Sequence, residues 1–289
     1  MTAERALEAQ SPRRKPRPGL VAGGILLAGL AVISIAAPLI APYDPTFESV
    51  AGLAPDGGPL DPGATYLLGT DPKGRDLLSR LIFGGRVTFF ASFVAVGAAT
   101  VIGLIIGLVA ASSNRRIGGL LMRATDLGLA IPGLLLAAAI SAVLGRGLVS
   151  LTIALTAVFW APLARVTYGQ AIVVKERQFV VAGRALGARW GFLLIHHVLP
   201  HVLPIVAAYA ALSVGWAALF ESALGFLGVG VQEPTSSIGA MLGCCLVFYR
   251  QHPGLILFPT LYLGLLVTAT TLVGEALRRP REVSRGTGR

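Results

Sequence analysis

The chain is poor in charge. Of its 289 residues only 13% are Asp, Glu, Lys or Arg, while 54% are hydrophobic, a balance that points to an integral membrane protein. Lysine is scarcer still, confined to Lys15, Lys73 and Lys175, so nearly all positive charge is arginine. A net charge of +10 would suit a nucleic-acid binder. The basic residues instead sit in segments flanking apolar runs, as membrane loops do, and no nucleic-acid partner is expected. The two cysteines, Cys244 and Cys245, are neighbours. A bridge between adjacent residues is strained, so they are expected to be unpaired.

Catalytic chemistry is missing as well. There is no G-x-x-x-x-G-K-S/T phosphate loop: Gly69 and Gly74 have the spacing, but Arg75 and Asp76 follow, so the chain is not expected to bind ATP by that route. No G-x-S-x-G elbow or Cys/His pair suggests a hydrolase. His197 and His201 stand four apart beside His196. Pro200 would disturb the helix needed to align their rings, and no acid or cysteine lies close in sequence, so no metal site is expected. Acids are absent from the centres of the apolar runs. Asp126, Glu221 and Glu275 all fall near their ends, which argues against an ion-coupled secondary transporter. A membrane scaffold is less easily set aside on charge alone.

What is present is a series of apolar runs, each near the roughly 20 residues that cross a bilayer. The pattern predicts an all-α membrane protein with six transmembrane helices, at about 19–41, 87–111, 121–144, 148–170, 202–220 and 255–276. Residues 1–18 and 278–289 read as polar tails, residues 42–86 as a long Gly- and Pro-rich loop, and residues 87–277 as a five-helix core. Asp71-Pro72 resembles a helix start, with Asp as cap and Pro at the first position. Asp126 is expected to pair with Arg123, three residues earlier. Most of the 24 Lys and Arg fall on one side of this topology, which places both termini in the cytoplasm.

The stretch 175–200 is basic and broken by glycine. Phe179, Leu186 and Leu193 are spaced by seven and are expected to share a helical face, with Arg177 and Arg184 roughly opposite. Gly187 interrupts the pattern, and Pro200 with Pro204 is expected to stop it. Two short amphipathic helices joined by a bend would result. On amphipathicity alone, a helix that merely anchors a loop among headgroups fits equally well.

The order of residues adds a resemblance. Ala182-Gly183, Gly187 and His197-Val198-Leu199-Pro200 resemble the cytoplasmic coupling loop of ABC importer permeases, E-A-A, three residues, G, nine residues, I, any residue, L-P. The peptide-transporting branch reads A-A-R-A-L-G and ends in H-V-L-P. Val181 stands at the usual Glu position, Gly183 replaces the second Ala, and His197 holds the Ile position. Gly69-Thr70-Asp71 followed by Gly74-Arg75-Asp76 resembles the G-T-D-x-x-G-R-D signature of C-type subunits of dipeptide, oligopeptide and nickel importers. The run from Asp126 to Ala137, around Pro132, resembles that family's third span. Glu221 to Gly228, followed by Gln232-Glu233-Pro234-Thr235, is similar to E-S-x-L-S-F-L-G…Q-P-P-T, with Glu233 in place of the first paired proline.

The resemblance implies the type I ABC importer permease fold. It also implies a non-catalytic membrane subunit that works with a homologous second permease, two ATPase domains and an extracytoplasmic substrate-binding protein. ATP and Mg would be bound by the ATPases and no cofactor by this chain. Peptide is the implied cargo, with nickel or another small solute as the alternative within the same architecture. Phe179, Ala182, Gly183, Arg184, Leu186, Gly187, His197, Leu199 and Pro200 would couple to the ATPases. Thr70, Asp71, Gly74, Arg75, Asp76, Gln232, Pro234 and Thr235 would contact the binding protein or an outer gate. The implied cell membrane is the bacterial cytoplasmic membrane.

Overall fold

A computed structural model describes residues 18–278. The expected tails lie outside them, except for Pro18 and Arg278, which are helical. The described chain is helical: α1 (Pro18–Ile35), α2 (Ala37–Ile40), α3 (Leu77–Ser112), α4 (Arg115–Ala130), α5 (Gly133–Leu144), α6 (Leu148–Lys175), α7 (Gln178–Ala185), α8 (Trp190–Leu193), α9 (Leu199–Phe226), α10 (Ile238–Cys244) and α11 (Gly254–Arg278). Five helical runs are long and apolar enough to cross a membrane, and α4 with α5 makes a sixth, bent candidate. Cys244 and Cys245 are both free thiols.

The bundle is assembled around α3 and α6. On α3, Ala95, Ala99, Gly103, Gly107 and Ala111 recur every four residues and form one small-residue stripe. A Cβ on Gly103 would lie 2.7 Å from Leu163 Cβ, and one on Gly107 would lie 2.6 Å from Thr167 Cβ. Small residues therefore set the approach of the two helices, as close packing in lipid requires. Leu151, Leu155, Phe159 and Leu163 of α6 then meet Val202 and Val206 of α9 in the main core. A second core gathers Leu77, Ile238, Met241, Leu255, Tyr262 and Leu266 at the other face of α3. α1 packs on α11, where Gly23 lies directly against Leu272.

Several expected boundaries move, each for a local reason. α3 begins at Leu77, well before the expected 87, because Asp76 caps it, accepting from Ser79 N at 2.7 Å and Ser79 Oγ at 2.6 Å. Asp71-Pro72 is a turn before that helix and not its start. The third span is split into α4 and α5, bent by 88°. Pro132 disfavours helical backbone at the residue before it, and Ile131 is extended (φ −86°, ψ 129°). Asp126 pairs with Arg165 of α6 instead of Arg123. Pro200 and Pro204 do not stop the chain: a π-helical turn, Leu194–Val198, leads into α9, with Pro200 in its first turn and Pro204 within it. α9 runs on to Phe226, past the expected 220, so Glu221 lies inside a helix.

Candidate functional site: a bent helix pair and a buried charge cluster

Two regions carry the motifs, at opposite ends of α3. At the C-terminal end, Lys175 Nζ donates to Ala111 O at 3.1 Å and so fixes the end of α6 to the end of α3. The chain then forms α7, a turn and α8. Arg177 is the N-cap residue of α7, and Leu186 is its C-cap. Gly187 N donates to Arg184 O and Ala188 N to Gly183 O, each at 3.0 Å. This paired closure requires left-handed backbone at Gly187, where φ is +84°. Gly183 is required differently, because a Cβ there would come within 2.9 Å of Leu193 Cδ2 and push α7 off α8.

The face expected from the seven-residue spacing is divided. Val180 and Val198 are buried and join the helix pair to the bundle, while Leu193, also buried, packs against α7 at Gly183. Leu186 points away and is 88% exposed. The bend rotates α8 relative to α7, so heptad spacing does not survive across Gly187. Phe179 is part-exposed and stacks on His201 of α9, ring centroids 5.0 Å apart, with His197 also nearby at 6.2 Å. Arg184 and Lys175 lie over the Trp190 ring. Phe192 stacks on His196. The histidines thus serve as packing rings along the exit into α9, where Leu199 is half-buried and Pro200 exposed. Val181, Ala182 and Leu186 form exposed apolar surface, bordered by exposed Arg177, Arg184 and Arg189. This region can receive a partner that offers an apolar groove with acidic or polar edges.

At the N-terminal end of α3 the geometry is the reverse. Thr70 Oγ1 donates to Gly52 O at 2.6 Å and accepts from Leu60 N at 2.8 Å. Asp71 Oδ1 accepts from Lys73 N and Arg75 N, while Oδ2 accepts from Arg75 Nε at 2.7 Å and from Arg80. Asp71, Arg75 and Arg80 are no more than 2% exposed. Gly74 has φ +75°, and a Cβ there would lie 2.1 Å from Ser49 O. Thr70, Asp71, Gly74, Arg75 and Asp76 are therefore buried scaffold in this chain and have little surface to offer a contact.

Gln232, Pro234 and Thr235 are exposed on the facing hairpin. Glu233 joins the two segments: Arg75 Nη2 donates to its Oε1 at 2.7 Å, and Lys73 Nζ bonds its Oε2. The Glu233 hydrogen bond holds the Lys73 ammonium above its ordinary pKa. In the sequence Glu233 is only a departure from a pattern, and nothing singles out Arg80. The only signal was compositional, two extra arginine charges beside Asp71 and Asp76. Glu221, expected just past the end of the fifth span, lies within α9. It is wholly buried, accepting from Thr88 Oγ1 at 2.7 Å across α3 and α9.

A family model described as binding-protein-dependent transport system inner membrane component matches residues 68–281. The chain belongs to this family. Among curated relatives, the dipeptide transport system permease protein DppC of Alkalihalophilus pseudofirmus is 35% identical over 89% of this chain and 83% of its own. The di/tripeptide transport system permease protein DppC of Pseudomonas aeruginosa is 39% identical over 89% and 85%. A chain of the inward-facing MetNI methionine ABC transporter has the same fold, with a TM-score of 0.57 and 18% identity over 69% of this chain and 97% of that one. The family segment starts at Leu68, so it includes the Asp71 cluster and the bent pair but leaves out α1 and most of the loop after it. The protein is a multi-pass membrane component of an ABC transporter.

Proposed function

We propose that this chain is the C-type permease subunit of an ATP-driven importer of dipeptides or oligopeptides in a bacterial cytoplasmic membrane, with both termini and the α7–α8 pair on the cytoplasmic side. The observation that carries the reading is the bent pair itself. Its buried residues fasten it to α6 and α9, and its remaining apolar residues project outward inside a basic border. A soluble ATPase groove is a suitable cover for such a surface. The concentration of Lys and Arg on that side of the bundle supports the orientation. The names of the relatives favour peptide over nickel.

In this reading a second, homologous permease completes the path, two ATPase domains bind ATP and Mg, and an extracytoplasmic binding protein delivers peptide to the loop end. ATP closes the ATPase dimer and draws the docked α7–α8 pairs together. The two bundles rock toward the outward-facing state, and hydrolysis with release restores the inward-facing one. Gly187 permits the bend, Leu186 with Phe179 and Ala182 fills the groove, and Arg184 meets its polar edge.

A mild-detergent affinity pull-down from native membranes, followed by mass spectrometry, tests this. Recovery of a second six-span permease, Walker-A ATPases and a binding protein is the expected result. Recovery of the chain alone, moving solute down an ion gradient, would overturn the proposal.

A further inference from the structure

A cavity of about 770 Å³ opens beside the N-terminal part of α3. Tyr43, Phe83, Arg86, Phe90, Thr235 and Ser236 contribute to its wall. The wall is held in place before any ligand arrives. Tyr43 N donates to Ser79 Oγ at 3.0 Å, and Tyr43 OH donates to Thr65 O at 3.0 Å. Asp44, the other charged residue on the wall, has its carboxylate occupied by Thr46 through the amide and the hydroxyl.

Arg86 is different. Its guanidinium makes no hydrogen bond or ion pair among the described residues. Thr235, on the same wall, is exposed. The cavity thus joins a cation with no partner among the described residues to an exposed threonine and aromatic walls, a combination that suits an amphiphilic anion.

Depth selects among such anions. α3 has 36 residues, a rise of roughly 54 Å at about 1.5 Å per residue, against a hydrocarbon core of about 30 Å. Arg86 is the last charged residue before an uncharged stretch that continues to Ser112, so it stands where headgroups meet hydrocarbon. Below it, Phe90, Val94, Val101 and Ile105 follow the same side of the helix and are 37%, 56%, 58% and 58% exposed. The side of α3 that begins with the Arg86 guanidinium continues as exposed hydrocarbon surface.

We propose that this cavity is a phospholipid site. Arg86 holds the phosphodiester by charge-assisted hydrogen bonds, Thr235 faces the headgroup, and an acyl chain lies along Phe90, Val94, Val101 and Ile105. The proposal rests on α3 crossing the membrane and is independent of cargo. A bound lipid would bridge α3 to the Gln232–Thr235 hairpin.

The test uses the assembled importer, purified in mild detergent with phosphatidylglycerol and phosphatidylethanolamine present, and native mass spectrometry to count retained lipid. Arg86→Gln is expected to lower the retained phospholipid about fivefold, the loss of one interfacial cation, with Arg86→Lys between it and the parent. Equal retention by Arg86→Gln would overturn the site. So would unchanged retention with a raised KM for peptide uptake, which would make the occupant a peptide carboxylate, or with loss of the second permease, which would make it a protein interface. If the Arg86→Gln chain does not fold or insert, the parent complex is irradiated with a phospholipid carrying a diazirine in its acyl chain. Adducts concentrated between residues 90 and 105 are expected, and adducts without that concentration would overturn the proposal.

Discussion

The two ends of α3 carry motifs of similar length and put them to opposite use. At the Asp71 end the motif residues turn inward, with Asp71 bonded to Arg75 and Arg80, and disappear from the surface. At the Gly187 end the buried positions are Val180, Leu193 and Val198, and motif residues such as Leu186 project outward. A sequence signature therefore states only that a position is constrained. Whether the constraint is internal or belongs to a missing partner depends on which side chains the local backbone turns toward the core.

Four substitutions would break or sharpen this contrast. Asp71→Ala removes the carboxylate shared by two buried arginines and should cost about 3–5 kcal/mol, because the remaining cations stay buried without it. Denaturant unfolding in detergent reads this loss, and a cost below about 1 kcal/mol would show the cluster to be wet and loosely held. Gly187→Arg places a side chain on left-handed backbone, at about 1–2 kcal/mol, with open space around it. Membrane insertion should survive while co-purification of the ATPases is lost, and normal co-purification would remove Gly187 from the docking surface.

Glu233→Gln should cost about 1 kcal/mol, since Glu233 is 37% exposed and its pairs are partly screened. Limited proteolysis should then cut the Gln232–Thr235 hairpin faster, and an unchanged cutting rate would mean that the hairpin is held elsewhere. Lys73→Met should cost only a few tenths of a kcal/mol, because the lysine is about half-exposed. The sign with pH is definite. A lysine whose folded pKa is raised stabilises fully below its ordinary pKa and loses that contribution as pH rises through the folded value. The difference between Lys73→Met and the parent should therefore shrink in strong alkali, and a difference that grows there would contradict the Glu233 pairing.

Much of the fold was legible because its signals are local. Long uncharged runs gave the spans, and the glycine-broken stretch at 175–200 gave a helix, a bend and a second helix. The bend itself followed from one glycine with open ends on both sides. What could not be read required tertiary partners. Nothing near Asp126 in sequence names Arg165, and nothing near Arg75 names Glu233. Pro132 was visible, yet its effect was underestimated because a proline can kink a span or break it. The bundle here accepts a full break, while Pro204, inside α9, is accepted with no break at all.

The helical run from Trp190 to Phe226 has 37 residues and is long and apolar enough to cross a membrane as one element. At about 1.5 Å per residue it is a lever roughly 55 Å long. Its lower end carries His197 and His201, the rings against which Phe179 rests. Its upper end holds Glu221 and packs on α10 through Ser222 O and Gly239. A tilt of about 5° applied at the lower end would carry the far end through about 5 Å, the height of a single helical turn. Small strokes at the exposed pair would thus become large ones at the opposite mouth, and the π-helical turn Leu194–Val198 is where that gain would be adjusted.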